Sequence, residues 1–179
     1  NRMNAMGMGV LVGWGPLRVG SNLGPPYRML MNHAIHKGYH SDGGDITVIN
    51  PWLNFSTIVT GKNLAGAQIL GDQTLTRQEL MWLATAANKW FVWEDDIGSI
   101  EAGKQADLVM IRASDLNMQP VHDPVSSVVF QTSLANIDSV MVAGRWKKRH
   151  GQLPGMELGP KLAALQASGR KITAALGLQ

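Results

Sequence analysis

The hydrophobic pattern of the chain changes its period near Asp96, and this change is the strongest constraint on the fold. Upstream, Thr76 and Glu79 have the spacing of a capping box, in which each side chain satisfies a free backbone N–H of a new helix. A stripe at helical spacing follows and predicts a helix that ends at Asp95–Asp96; its apolar members are Leu80, Leu83, Ala84, Ala87 and Phe91. Downstream, short apolar runs bounded by turn residues predict strands at residues 106–111, 126–130, 137–142 and 145–149.

The other segments extend this α/β pattern in both directions. Residues 6–13 are a short apolar run typical of a strand, and the spacing after Pro26 predicts a helix that ends at Lys37. Residues 39–75 are predicted to be a long and mostly irregular connection, a kind of segment that is usually functional or mobile. Residues 160–177 return to helical spacing, opened by Pro and stopped by Gly.

Length and composition exclude several classes of protein. A chain of 179 residues can bury a core, but it falls short of the roughly 250 residues of a complete (β/α)₈ barrel. A net charge of +3 gives no reason to expect a nucleic-acid partner, and no apolar run approaches the ~18 residues that cross a membrane. The absence of Cys leaves His and carboxylates as candidate metal ligands, and it suits a reducing compartment, so we expect a cytoplasmic protein. Because Asn1 is not an initiator, we expect a fragment that begins inside a domain.

Three histidines suggest a metal site, because His33 and His36, and His36 and His40, are about one helical turn apart. A helical wheel argues against it. At ~100° per residue from Tyr27, the apolar stripe centres near ~10°, whereas His36 lies near ~180° and His33 near ~240°. No carboxylate shares their turn, so solvent-exposed or interfacial histidines are the simpler prediction.

Three further groups of residues also have an ordinary structural explanation beside a functional one. The basic run Arg145–His150 is expected to be an edge strand protected by lysines, rather than a surface for an anionic partner. Asp95, Asp96 and Glu101 could act as paired carboxylates but are expected to face solvent. The glycines around Trp14 lack the spacing of a phosphate-binding loop.

One stretch of the sequence is much more specific for a protein family than these groups of residues are. Residues 83–90, Leu-Ala-Thr-Ala-Ala-Asn-Lys-Trp, precede residues 97–111, Ile-Gly-Ser-Ile-Glu-Ala-Gly-Lys-Gln-Ala-Asp-Leu-Val-Met-Ile. Together they resemble the C-terminal signature of the amidohydrolase superfamily. Segments 122–126 and 140–145 resemble the cytosine deaminase, chlorohydrolase and adenosine-type deaminase branch, whereas segments 50–52 and 59–62 resemble a second branch, so the subgroup stays open.

The resemblance implies an α/β fold: the C-terminal part of a (β/α)₈ TIM barrel, a small β-sandwich and a C-terminal helix. The implied units are residues 1–96 for the last strand and helices of the barrel, 97–157 for the sandwich and 158–179 for the helix. The family hydrolyses C–N or related bonds with one or two divalent metals, zinc or iron, held by histidines on earlier strands and by an Asp on the last strand. By this resemblance, Gly15 occupies the Asp position, and no residue of this chain is assigned to catalysis or to the metal.

The resemblance places three candidate substrate-binding residues, Arg18, Ser21 and Asn22, in a loop at the barrel mouth. Two functions then remain open. The chain is either the C-terminal portion of a metal-dependent, deaminase-like hydrolase, inactive by itself, or a non-catalytic scaffold or oligomerisation module that has lost its metal ligands. In the first case its partners are a small-molecule substrate and the missing part of the barrel or another protein chain. Incomplete strand edges and helix faces also predict an oligomer or an aggregation-prone chain.

Overall fold

The computed structural model describes residues 25–41 and 49–177, so the strand predicted at residues 6–13 lies outside the described residues. The described part contains six α-helices: α1 (Tyr27–Asn32), α2 (Pro51–Thr60), α3 (Arg77–Ala84), α4 (Lys89–Val92), α5 (Pro124–Phe130) and α6 (Leu158–Ala175). Its three strands are β1 (Leu108–Ile111), β2 (Ile137–Val142) and β3 (Arg145–Lys148). Short 3₁₀ turns at Leu116–Met118 and Leu134–Asn136 flank α5.

Helices α1, α2, α3 and α5 enclose the hydrophobic core. Its central side chains are almost fully buried: Tyr27, Ile58, Ile69, Leu80, Leu83 and Val129. The predicted stripe of α3 supplies two of them, Leu80 and Leu83, because these positions lie on one face of the helix. Burying a side chain of this size contributes about 1.5–3 kcal/mol, so this cluster is the main source of stability in the helical part.

The capping box at the start of α3 is confirmed, but the predicted length of the helix is wrong. Thr76 Oγ1 accepts from the Glu79 amide at 3.2 Å, and a Glu79 carboxylate oxygen accepts from the Thr76 amide at 2.8 Å. The helix ends at Ala84 because Thr85 leaves the helical region at φ −126° and ψ −92°, and its hydroxyl donates to the Met81 carbonyl at 2.7 Å. Helical structure resumes only for the four residues of α4.

The prediction of an irregular segment over residues 39–75 is wrong for α2. Its N-terminus has the usual signals, because the Asn50 side chain accepts from the Trp52 amide at 3.1 Å and Pro51 occupies the first turn. At the other end the Gly61 amide donates to the Thr57 carbonyl at 2.9 Å. The helix buries Phe55 and Ile58, so this segment is part of the scaffold rather than a free loop.

Helix α1 is shorter than predicted. It ends at Asn32 rather than Lys37, because His33 adopts an extended conformation at φ −88° and ψ 145°. The Lys37 ammonium then donates to the His33 carbonyl at 2.7 Å and to the Met31 carbonyl at 3.4 Å. These bonds supply partners for carbonyl groups that the shortened helix leaves unpaired.

The strand predicted at residues 126–130 is also wrong, because this run is helix α5. Asp123 caps the helix by accepting from the Ser126 amide at 2.9 Å, and Pro124 lies at its first position. These local signals outweigh the β-propensity of the valines. The helix buries Val129 in the core.

The three strands form one antiparallel sheet in the order β1-β2-β3. Val142 pairs with Arg145 across Ala143–Gly144, which confirms the predicted hairpin and places β3 at an edge. The second sheet that a sandwich requires is not among the described strands, so the sandwich and the unit boundaries at residues 96 and 157 remain predictions.

Two hydrogen bonds join the turn at residues 98–107 to its surroundings. The Gln105 amide donates to the Asp96 carbonyl at 2.7 Å, and the Asp107 carboxylate accepts from the Ala143 amide at the hairpin turn, also at 2.7 Å. This turn therefore links the helical part to the sheet.

The C-terminal helix α6 contains 18 residues, and none of its side chains is buried. It begins at Leu158, two residues before the predicted start at Pro160. Proline is tolerated at the third position because the first turn of a helix leaves its backbone N–H groups unpaired. Within residues 25–41 and 49–177, no helix combines the length and the apolar character needed to cross a bilayer.

Candidate functional site

The three loop residues that the resemblance places at the barrel mouth, Arg18, Ser21 and Asn22, lie outside the described residues, as does Gly15 at the position of the family Asp. What the structure describes is how the chain is held directly after them. Pro25 is buried and Tyr27 has no exposed surface, so the polypeptide enters the core within three residues of Gly24. The candidate loop is thus attached to a firmly packed element.

Arg28 ties this element to the start of α3. Its guanidinium donates to both carboxylate oxygens of Glu79, at 2.6 and 2.8 Å, and also to the Thr74 carbonyl at 3.0 Å. The Arg28 amide donates to the Gln73 carbonyl at 3.3 Å. Two parallel N–H···O bonds between an arginine and a carboxylate fix orientation as well as distance. Helix α1 is therefore locked in position against α3.

The Arg28–Glu79 pair also shifts the pKa of both of its members. Hydrogen bonding to the Arg28 guanidinium, only partly opposed by burial, lowers the pKa of Glu79 to about 2. The bonds from Thr76 act in the same direction. The same pairing raises the pKa of Arg28. Glu79 is thus a permanently charged structural anchor, with a pKa far too low for a general acid or base at neutral pH.

The three histidines do not form a metal site in the structure. His33, His36 and His40 are exposed, as expected, but α1 ends at Asn32, so the helical-wheel argument applies to none of them. The His36 ring instead stacks on Trp90, with ring centroids 4.1 Å apart and planes 11° apart. Across the described residues, no group of three His, Asp or Glu side chains could hold a metal ion.

The sequence of the first 24 residues supports the same conclusion about the metal, because it contains no His, Asp, Glu or Cys. The segment that should carry the last-strand ligand therefore has no side chain of a kind that binds zinc. Neither the first 24 residues nor the residues that the structure describes supply a set of side chains that fits the metal of the family.

A half-open cleft of about 400 Å³ lies between the histidine segment, the tryptophans and the turn after α4. Its walls include His36, Trp82, Trp90 and Lys104. Lys104 already donates to Ser99 Oγ at 2.5 Å and to the Glu101 carboxylate at 3.0 Å. The family-like residues Ser99, Glu101 and Lys104 therefore bond to one another and stabilise a turn.

The other candidate groups keep their ordinary roles. Asp95, Asp96 and Glu101 are exposed, as expected. Along β3, exposure alternates between Arg145 and Lys147 on one side and Trp146 and Lys148 on the other, so the positive charges are divided between two faces.

A buried polar pair, Tyr39 and Asn54, was not found by sequence reasoning. The Tyr39 hydroxyl and both polar atoms of the Asn54 side chain are buried, and among the described residues none of them has a hydrogen-bond partner of ordinary geometry. Burial raises the pKa of the Tyr39 phenol, with the nearby Asn54 and Ser41 opposing it. No local signal identifies Asn54 as buried, because its position depends on the packing of α2.

We expect Asn54→Leu to raise the free energy of unfolding by about 1 kcal/mol, because it replaces an unpaired buried amide by an apolar group of similar size. Urea denaturation would measure the change. Asn63→Leu is the matched control: Asn63 is also buried, but its side chain accepts from the Ala67 amide at 2.9 Å, so this variant should be less stable. A loss of stability in Asn54→Leu would show that a polar partner, such as a buried water, is present.

Comparison with known proteins yields one family and a consistent set of relatives. The amidohydrolase family is matched over residues 4–146. A 5-methylthioadenosine/S-adenosylhomocysteine deaminase from Teredinibacter turnerae is 49% identical over 51 residues, which are 28% of this chain and 12% of that protein. An 8-oxoguanine deaminase from Pseudomonas aeruginosa is 29% identical over 104 residues, which are 58% of this chain and 23% of that protein.

Solved structures are similar in fold at low sequence identity. An adenosine deaminase from Xanthomonas campestris with bound zinc has a TM-score of 0.63 at 20% identity, over 92% of this chain and 40% of that one. An atrazine chlorohydrolase from Arthrobacter aurescens complexed with zinc has the same TM-score at 21% identity, over 79% of this chain and 31% of that one. This chain thus spans less than half the length of the proteins that it matches.

Proposed function

This chain belongs to the amidohydrolase family, and on that basis we propose that it is the C-terminal portion of a metal-dependent hydrolase. The reaction is hydrolysis of a C–N bond in a small molecule, of the deaminase type. The single observation that supports this most directly is the family match over residues 4–146, together with relatives that are themselves named deaminases.

In this proposal the chain contributes scaffold and part of the substrate pocket. Arg18, Ser21 and Asn22 contact the substrate from the loop that precedes Pro25. The Arg28–Glu79 pair holds the helix at the end of that loop, which supports a positioning role. The metal ligands come from the part of the barrel that precedes this chain in the family, because Gly15 has no side chain to coordinate a metal.

A non-catalytic scaffold or oligomerisation module is the second candidate. It is favoured by Gly15 and by the absence of any His, Asp, Glu or Cys from the first 24 residues. In that case the fold is retained for its packing surfaces alone.

The two candidates are distinguished by reconstitution. The chain is purified alone and with an N-terminal segment of a related deaminase that carries the histidines, and zinc content and ammonia release are measured. The substrate panel contains 5′-methylthioadenosine, S-adenosylhomocysteine and 8-oxoguanine. We expect no metal and no activity for the chain alone, and metal binding with ammonia release for the reassembled pair. No metal and no activity in either preparation would exclude the enzyme.

Gly15→Asp then tests the position of the lost ligand. The reassembled pair with Gly15→Asp should bind zinc more tightly than the unmodified pair, because a carboxylate is added to the ligand set. Gly20→Asp introduces the same charge five residues further along and should leave zinc affinity unchanged. Equal zinc affinity in both variants would contradict the assignment of Gly15.

A further inference from the structure

The cleft between the histidine segment and the turn after α4 has no role in the proposed function. Its lining comes from three parts of the chain: residues 35–37, positions within residues 82–90, and the turn that contains Ser99, Glu101 and Lys104. Its volume of about 400 Å³ lies within the range of small-molecule sites, about 300–1,000 Å³. The cleft is therefore large enough for a small ligand, and its lining indicates which kind.

The described walls of the cleft carry more positive than negative charge. Lys37, Lys89 and Lys104 line it, and Glu101 is the one carboxylate among the described lining residues. Glu101 already pairs with Lys104, whose ammonium lies 3.0 Å from its carboxylate. The Lys37 ammonium donates to two backbone carbonyls, which carry no net charge. The positive charge of Lys37 is thus not neutralised by these contacts.

Lys89 also has no close counter-ion in the described part of the chain. Its ammonium lies 3.8 Å from an Asp95 carboxylate oxygen, which is beyond hydrogen-bond distance. The Asp95 side chain is fully exposed, so water screens this contact. Two ammonium groups, those of Lys37 and Lys89, therefore line one cleft without a closely bound carboxylate, and an anionic ligand would complement them.

The same cleft presents aromatic surface. Trp82 lines it and is 46% exposed. The Trp90 ring is fixed by two neighbours, because His36 stacks on it with ring centroids 4.1 Å apart and Phe91 lies edge-on at 5.1 Å. A side chain that is already fixed loses little rotamer freedom when a ligand binds. The indoles of Trp82 and Trp90 therefore offer a flat apolar surface for the ring of a ligand.

We propose that this cleft is a binding site for a small aromatic anion. Its ring lies against Trp82 and Trp90, and its anionic group meets the ammonium groups of Lys37 and Lys89. Neither contact suffices alone, because an exposed ion pair in water is weak and ring contact by itself does not select for charge. The cleft combines the two kinds of contact within one small volume, which gives both affinity and selectivity.

Titration of the full chain with 2-aminobenzoate at neutral pH, followed by NMR, tests the site. The amide 2-aminobenzamide has the same ring without the charge, and acetate has the charge without the ring. We expect saturable binding of 2-aminobenzoate that weakens as NaCl is added, and binding about tenfold weaker or less for each of the other two. No saturable binding of 2-aminobenzoate, or equal binding of 2-aminobenzamide, would overturn the proposal.

Two pairs of variants test the assigned residues. Lys89→Gln should weaken binding of 2-aminobenzoate by about fivefold or more, because it removes one ammonium group from the cleft. Lys62→Gln removes an exposed lysine outside the cleft and should leave binding unchanged. Trp82→Ala should also weaken binding, whereas Trp93→Ala removes a more exposed tryptophan outside the cleft and should not. Equal effects within either pair would contradict the site, and circular dichroism establishes that each variant is folded.

The indole N–H signals locate the bound anion. Those of Trp82 and Trp90 should shift, whereas that of Trp146, which lies 5.4 Å from the Arg149 guanidinium on the sheet, should not. An equal shift at Trp146 would show that the anion associates with any tryptophan beside a cation, and would overturn the site. In the reassembled pair, 2-aminobenzoate should bind as before; its displacement by the N-terminal segment would show that protein occupies the cleft. The tests on the chain alone require no hydrolase activity, so their failure is separate from a failure of the proposed function.

Discussion

Glu79→Ala should lower the free energy of unfolding by about 2–3 kcal/mol, one of the two largest effects expected for a single substitution outside the apolar core. The substitution removes both hydrogen bonds to Arg28 and the return bond to the Thr76 amide. It leaves a guanidinium whose side chain is only 32% exposed without its counter-ion. Urea denaturation at neutral pH would measure the loss.

Asp95→Ala is the matched control. Asp95 also pairs with a cation, Lys89, at 3.8 Å, but the Asp95 side chain is fully exposed and the Lys89 side chain is 37% exposed. Water therefore replaces the lost contact, and the change should be much smaller. Similar losses in the two variants would show that the Arg28–Glu79 pair contributes no more than an ordinary surface ion pair.

The Arg28–Glu79 pair also predicts that the stability of the folded chain depends on pH. The pKa of Glu79 is about 2 in the folded chain and near 4.5 in an unfolded one, so the unfolded state binds more protons between these values. The contribution of Glu79 to the free energy of unfolding should therefore be complete above about pH 5. It should be lost as the pH falls from about 4.5 to about 2. Glu79→Gln cannot titrate, so the stability difference between it and the unmodified chain should shrink over this interval. A difference that stays constant would contradict the low pKa.

Gly98→Ala should lower the free energy of unfolding by about 2–4 kcal/mol, because a backbone penalty and a steric penalty combine at this position. Gly98 has a φ of +85°, in the left-handed region that L side chains rarely adopt. A Cβ there would also lie 3.0 Å from the Thr85 carbonyl oxygen and 3.1 Å from the Ala86 Cα, which are backbone atoms and cannot rotate away. The turn would have to separate from the end of α3.

Gly103→Ala isolates the conformational penalty. Gly103 has a nearly identical φ of +86°, but a Cβ there would meet nothing within 4 Å. This variant should lower the free energy of unfolding by only about 1–2 kcal/mol. Thermal denaturation of both variants would measure the difference. Equal losses would mean that close contact between the turn and α3 contributes nothing to stability.

Prediction from sequence succeeded where a feature depends on neighbouring residues. The capping box at Thr76 and Glu79 and the hairpin at Ala143–Gly144 are both consequences of local spacing. It failed where two local signals compete. In the run that contains Val128 and Val129, β-propensity favoured a strand, but the cap at Asp123 with Pro124 initiated a helix.

For the candidate site, the family signature was recognisable from its residues, and the structure agrees with a role for them in the scaffold. Asp107 and Lys104 are typical of the family, and they bond to the hairpin turn and to Ser99. They are scaffold residues. The Arg28–Glu79 pair, which holds the element next to the candidate loop, joins positions 51 residues apart, and no spacing rule connects positions at that distance.

The sequence by itself determined the family, the capping box that begins α3 and the hairpin between β2 and β3. These properties depend on residue identity and on short-range periodicity, and both can be read directly from the order of the residues. Only the tertiary structure decided that Glu79 is an anchor for Arg28, that the Asn54 side chain is buried beside Tyr39 and that the large apolar side chains of α6 are exposed. Each of these depends on which distant segments meet, and that is set by the packing of the whole core rather than by any local pattern.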